Sequence, residues 1–170
     1  SGFNNMLNVF YDDIERKEHN VLHLKSGKKI EYEKLVLANG SRAIEPPIEG
    51  IPKDGVMLMN NDPGQIRKMK KEALEAENIV IFGGGYLGVE LCDELLRAGK
   101  HVTIVEKSKR LMPSSFGSDI SNKVKEVIEN LGGRVILDSK IKSVLGIDAV
   151  TGIKLSSDEV IDCDFVVICC

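Results

Sequence analysis

The residues with chemical reach in this 170-residue sequence lie in one run, positions 79–106, IVIFGGGYLGVELCDELLRAGKHVTIVE. Within it, Gly83-Gly84-Gly85-Tyr86-Leu87-Gly88 has the spacing G-x-G-x-x-G. That spacing suits a turn whose backbone amides meet a diphosphate. Gly83 lets the chain turn sharply, Gly85 leaves room for a pyrophosphate to approach the backbone, and Gly88 lets the next helix pack closely on the strand. The unpaired N–H groups of a helix's first turn, together with its dipole, favour negative charge there. Glu106 follows about 20 residues on, where an acid accepts hydrogen bonds from a ribose 2′-OH and repels a 2′-phosphate. The expected chemistry is dinucleotide binding, with NAD(H) preferred over NADP(H). Lys107, Lys109 and Arg110 stand beside Glu106, and basic residues there can also grip a 2′-phosphate. A glycine-rich turn that binds no nucleotide is the alternative.

These groups need a strand before the turn, a helix after it and a second strand ending on the acid. Ile79-Val80-Ile81-Phe82 is a continuous apolar run, as in a parallel strand covered on both faces. Leu87, Leu91 and Leu95 recur at helical spacing with Cys92 and Leu96 beside them, and Gly99 ends the pattern. His101–Val105 is the next strand. Lys107–Gly117 is a polar loop, then a helix capped by Ser118 or Asp119 carries Ile120, Val124, Val127, Ile128 and Leu131, and Gly132-Gly133 end it. Arg134–Leu137 is the third parallel strand. Beyond it the pattern shortens to Ile141–Leu145, Ile153–Leu155 and Val160-Ile161, a β-meander, and Phe165–Ile168 is a last buried strand.

Upstream, residues 1 to about 38 read as β structure. Leu7–Tyr11 is a short strand, Arg16–Asn20 a polar turn, and Val21–Leu24 with Ile30–Tyr32 a hairpin about Ser26-Gly27-Lys28. Leu35–Ala38 reads as a buried strand ending at Asn39-Gly40-Ser41. Residues 42–52 carry three of the five prolines and read as an extended crossover. Asp62-Pro63-x-Gln65 opens a helix with an inner stripe of Ile66, Met69, Ala73 and Leu74 and a solvated lysine face.

Composition excludes several classes. The formal charge is −3, and neither a basic patch for nucleic acid nor an apolar span for a membrane stands out. The cytosol is the expected compartment. No His/Cys spacing suggests a metal site; His19 and His23 read as exposed hairpin residues. Cys92 reads as a small core residue. Cys169-Cys170 reads as the end of a buried strand, with a redox pair or a metal ligand as the alternative.

The order of these elements over essentially all 170 residues resembles the pyridine nucleotide–disulfide oxidoreductases, in which an NAD(P)H domain is inserted into an FAD domain. Gly83–Glu90 is similar to the family's NADH-site motif, and Leu35–Arg42 resembles its strand ending in "ATG", with Asn39 in place of threonine. Pro46-Pro47-x-x-Gly50 resembles the crossover and Asp164–Ile168 the second ATG-type strand. The sub-type is most similar to the NADH oxidase, rubredoxin reductase, ferredoxin reductase and nitrite reductase flavoprotein branch. The expected fold is α/β, a Rossmann-like three-layer NAD(H)-binding domain with a parallel sheet and a β-meander, plus a partial FAD-domain β segment. Its expected divisions are 1–45 for that segment, 46–58 for the crossover linker, 59–162 for the NAD(H) domain, and 163–170 for a strand returning toward the FAD domain.

The resemblance implies hydride transfer from NADH to FAD and electron passage to an acceptor: oxygen, peroxide, a disulfide, rubredoxin or ferredoxin. It assigns Glu90 to the nicotinamide carboxamide or ribose, with an exposed helix charge as the alternative, and Tyr86 and Leu87 to the cofactor path, Tyr86 as a lid. Asn39 and Gly40 would touch FAD in the whole enzyme, and Lys107, beside Glu106, is a further cofactor-binding candidate. No catalytic residue is expected within the chain, which reads as an internal, by itself inactive part of a longer, homodimeric parent. A regulatory NAD(H)-binding module and a non-flavin dehydrogenase with a six-stranded Rossmann domain are the other readings.

Overall fold

A computed structural model describes residues 14–38, 45–51, 54–60 and 62–169. The chain divides into two units, 1–42 and 43–170.

The first unit holds an antiparallel sheet of β1 (Ile14–Glu18), β2 (Val21–Leu24) and β3 (Lys29–Glu31) in chain order. Its hairpins turn on His19, at φ 49°, and Gly27, at φ 81°, and the Tyr32 hydroxyl donates to the His19 carbonyl at 2.9 Å. Two expectations are corrected. Arg16, Lys17 and Glu18 belong to β1, so the turn is confined to His19-Asn20. Leu35–Ala38 forms no strand, and Val36 and Leu37 are 85% and 65% exposed. The apolar run has the composition of a buried strand, but no described strand lies beside it to complete a ladder. Leu7–Tyr11 and the candidate FAD contacts Asn39 and Gly40 lie outside the described residues.

The second unit is built on a five-stranded sheet of β4 (Val56–Leu58), β5 (Asn78–Phe82), β6 (His101–Val105), β7 (Arg134–Ile136) and β11 (Phe165–Ile168). All pairings are parallel, in the order β4-β11-β5-β6-β7. Residues 56–58, expected within the linker, are therefore an edge strand, and Phe165–Ile168 lies inside this sheet between β4 and β5. Other described linker residues dock as well: Glu49 and Asp54 bridge to Ser143 and Ala149, and Ile48 and Ile51 pack on the core.

Period-two alternation explains why the strands are apolar throughout. Ile79 and Ile81 of β5, with Phe165 and Val167 of β11, meet the helices α1 (Pro63–Glu75), α2 (Tyr86–Arg97) and α3 (Ser118–Asn130). Val80, Phe82, Val166 and Ile168 meet the opposite layer, the antiparallel meander β8 (Ile141–Leu145), β9 (Gly152–Leu155) and β10 (Val160–Asp162). The unit thus has three layers: helices, parallel sheet and meander. The meander occupies the face where a six-stranded Rossmann domain would continue with helices.

The helix stripes are rotated from their expected settings. In α1, Met69 and Ala73 are buried, whereas Ile66 and Leu74 are exposed. In α2 the inner line is Gly88, Cys92 and Leu95, with Leu87 outside. In α3 it is Ser121 and Ile128, with Ile120, Val127 and Leu131 outside. Small residues such as Gly88 and Ser121 share these inner lines with Met69, Leu95 and Ile128, and let the helix axis come close where they sit. Gly117, with no side-chain cap, precedes α3 in place of Ser118 or Asp119, and Asp119 lies in the first turn, where its charge suits the dipole.

Candidate functional site

The glycine turn sits at the carboxyl end of β5, where a parallel sheet offers its ligand crevice. Gly83 has φ 114°, a setting that L side chains rarely adopt. A Cβ on Gly88 would stand 1.9 Å from the Gly83 carbonyl oxygen and 3.3 Å from Ile81 Cγ2. The last glycine of the motif is thus fixed by the contact of α2 with the turn and the strand. Gly85 differs: nothing lies within 4 Å of a Cβ built there. It is also the residue preceding α2, and no side chain caps that helix. The first-turn amides therefore face an open surface with no protein side chain as acceptor.

Glu106 follows β6 and is 5% exposed. One carboxylate oxygen, Oε2, accepts from the Gly84 amide at 2.6 Å, and Oε1 accepts from the Ser108 amide at 2.7 Å. The acid is turned toward the glycine turn, as the sequence led us to expect, but it is also a structural acceptor for two backbone amides. Each oxygen retains further lone-pair capacity.

The loop after β6 covers the turn from the other side. Leu111 is buried, and its Cδ2 would lie 2.5 Å from a Cβ on Gly84. The Met112 amide donates to the Gly84 carbonyl at 2.7 Å. Met112 holds φ 46°, an uncommon left-handed setting for such a side chain. Further along, the Phe116 ring lies against Tyr86, with centroids 6.1 Å apart and planes tilted by 40°. The loop expected to be polar therefore buries two apolar residues on the turn.

A family model for pyridine nucleotide-disulphide oxidoreductases matches residues 1–170. The chain belongs to that family. Among curated relatives, the nitric oxide reductase FlRd-NAD(+) reductase of Salmonella agona is 31% identical over 155 residues, covering 91% of this chain and 40% of that protein. Its namesake from Enterobacter is 32% identical over 146 residues, covering 86% and 37%. The chain spans about two fifths of the length of these relatives.

Two solved structures are similar in fold. A ferredoxin reductase from Rhodopseudomonas palustris superposes with TM-score 0.81 at 26% identity, over 88% of this chain and 37% of that one. A water-forming NADH oxidase from Lactobacillus brevis, bound to NADH, gives TM-score 0.74 at 27% identity, over 88% and 33%.

In this oxidoreductase-family chain, Gly83, Gly84, Gly85, Gly88 and Glu106 converge on one turn, and Tyr86 and Leu87 in the first turn of α2 are exposed, Tyr86 to 63%. Glu90 is exposed on α2, and Lys107 is exposed next to Glu106. Sequence reading missed Leu111, Met112, Phe116 and Ser121. Only the apolar pair Leu111-Met112 inside a charged loop hinted at them. Among the described residues no group of His, Cys, Asp and Glu is placed to hold a metal ion, and no helix is long and apolar enough to cross a membrane. Cys92 and Cys163 are buried; burial, helped by Asp93, pushes the Cys92 thiol up to about 12, and burial, helped by Asp164 and Asp162, does the same for Cys163.

Proposed function

We propose that this chain is the NADH-binding portion of a flavin-dependent oxidoreductase that passes hydride from NADH to FAD and electrons on to an acceptor. The observation that carries the reading is a single arrangement: a helix N-terminus without a side-chain cap opens beside Gly85, and a buried carboxylate stands behind the same turn. A dinucleotide diphosphate fits the first, because it would supply the missing acceptors for the α2 amides. An adenosine ribose fits the second, because the spare lone pairs of Glu106 can accept from its hydroxyls while the charge repels a 2′-phosphate.

The chain's own part is binding and orientation. The Gly85–Gly88 amides would hold the diphosphate, Glu106 and Lys107 would flank the sugar, and Tyr86 and Leu87 would border the path toward the nicotinamide, with Glu90 one turn further along α2. Once bound, the nicotinamide supplies a hydride and the flavin of the complete protein receives it. Asn39 and Gly40 would touch that flavin. The NADH oxidase and FlRd-NAD(+) reductase names among the relatives support the donor. A relative of 27% identity from Desulfovibrio vulgaris, described as FAD-dependent, supports the flavin. The ferredoxin reductase supports an electron-carrier protein as acceptor. Buried Cys92 and Cys163 that form no disulfide suit a cytosolic setting.

Calorimetric titration tests the reading. NADH should bind more tightly than NADPH, and Glu106→Ala should erode the ratio; equal affinities in the unaltered chain would refute it. The full-length parent should hold FAD, and a full-length protein without flavin would favour a regulatory nucleotide-binding module.

A further inference from the structure

Ser121 is 2% exposed on the inner face of α3, a helix whose sequence stripe would have placed Ile120 there. Its hydroxyl donates to the Leu111 carbonyl at 2.7 Å. Leu111 is the residue whose side chain closes over Gly84, and the next residue, Met112, donates its amide to the Gly84 carbonyl at 2.7 Å. Met112 keeps its left-handed backbone at this contact, a setting that persists only when neighbours hold it.

The Gly84 carbonyl and the Gly85 amide belong to one planar trans peptide, so they point in opposite directions. A bond that fixes the carbonyl toward the loop therefore fixes the Gly85 N–H away from it, toward the open side of the turn. The preceding peptide is tied in the same manner, since Glu106 accepts from the Gly84 amide. Three consecutive glycines would otherwise leave these peptides unusually free to rotate.

We infer that Ser121 is a positioning residue for the nucleotide site: through Leu111 and Met112 it aims the Gly85 amide at the diphosphate. The inference rests on the NADH-binding reading. Its role is indirect, because no atom of Ser121 reaches the open face.

Thr and Val have nearly the same shape, and only Thr keeps the hydroxyl, so Ser121→Thr and Ser121→Val form the deciding pair. Titrated with NADH, and separately with ADP-ribose as a diphosphate probe, S121T should bind within about twofold of the unaltered chain and S121V about tenfold more weakly or worse, as expected for loss of one buried hydrogen bond. A similar loss with both probes places the defect within the ADP-ribose portion that they share, where the diphosphate lies, and not at the nicotinamide. Equal affinities for S121T and S121V would overturn the inference, even with NADH bound by the unaltered chain. Absence of NADH binding by the unaltered chain would instead sink the reading beneath it.

A measurement on the unaltered chain guards against variants that fail to fold. The Met112 amide should resist hydrogen exchange before any nucleotide is added, and exchange at the rate of an exposed loop amide would overturn the inference.

Discussion

Two glycines of one motif do separable jobs, and the separation can be measured. Gly88 is held by a backbone oxygen that cannot yield cheaply, so Gly88→Ala should lower stability by about 1–3 kcal/mol, as overpacking does; urea unfolding followed by circular dichroism reads this. A Cβ at Gly85 would meet nothing within 4 Å, so Gly85→Val should cost no more than the loss of a favourable N-cap residue, about 1 kcal/mol, while abolishing NADH binding. Retained binding in that variant would put the nucleotide elsewhere. The thiols give a pH prediction. Burial raises the Cys92 and Cys163 thiols from the ordinary value of 9.0, which they regain on unfolding, to about 12. Between those values the unfolded chain holds fewer protons, so stability falls as pH rises through that window and is unaffected by these groups below it. Urea midpoints should therefore drop between about pH 8 and about pH 10.5, and less so in the Cys92→Ala/Cys163→Ala double variant.

At the level of elements, the start signal of α1 held, whereas that of α3 fell late, because Gly117 and not Ser118 or Asp119 precedes the helix. Asp62 caps α1 as its sequence demanded, its carboxylate accepting from the Gln65 amide at 2.8 Å, with Pro63 in the first turn. Asp62→Ala should cost about 1 kcal/mol, seen as faster exchange of the α1 amides with β5 unaffected. The strand–turn–helix–strand order, the three parallel strands and the meander were legible because turn residues and the change of period mark them. The inward faces of the helices were legible in part: Met69, Ala73, Cys92, Leu95 and Ile128 face inward as expected, but Gly88 and Ser121 do so in place of Leu87 and Ile120. A stripe of leucines in α2 and of isoleucine and valine in α3 outweighs glycine and serine in hydrophobicity. Yet a close approach of helix to sheet is possible where the side chain is small, as at Gly88, and a buried hydroxyl is tolerated where a carbonyl waits for it, as Leu111 does for Ser121. Leu35–Ala38 failed for the converse reason: composition reports that a segment can be buried, not that its neighbours are at hand.

The two units differ in how much they bury. In the β1–β3 sheet the only buried described residue is Leu22, while β5 and β11 are buried on both faces. Small sheets need an apolar face to persist, so hydrogen exchange should release the Val21–Leu24 amides long before those of Ile79–Phe82; simultaneous release would contradict this. The second unit also has an unusual chronology. Its sheet seats β11, contributed by residues 165–168, between β4 and β5, which are more than 80 residues earlier. As the chain leaves the ribosome, β4 has no other described strand to join and one side of β5 stays bare until β11 arrives. Such distant closure is slow and leaves sticky margins in the interim, so assembly of this layer is timed by its final strand, and nascent chains halted before Phe165 are the natural clients of a chaperone.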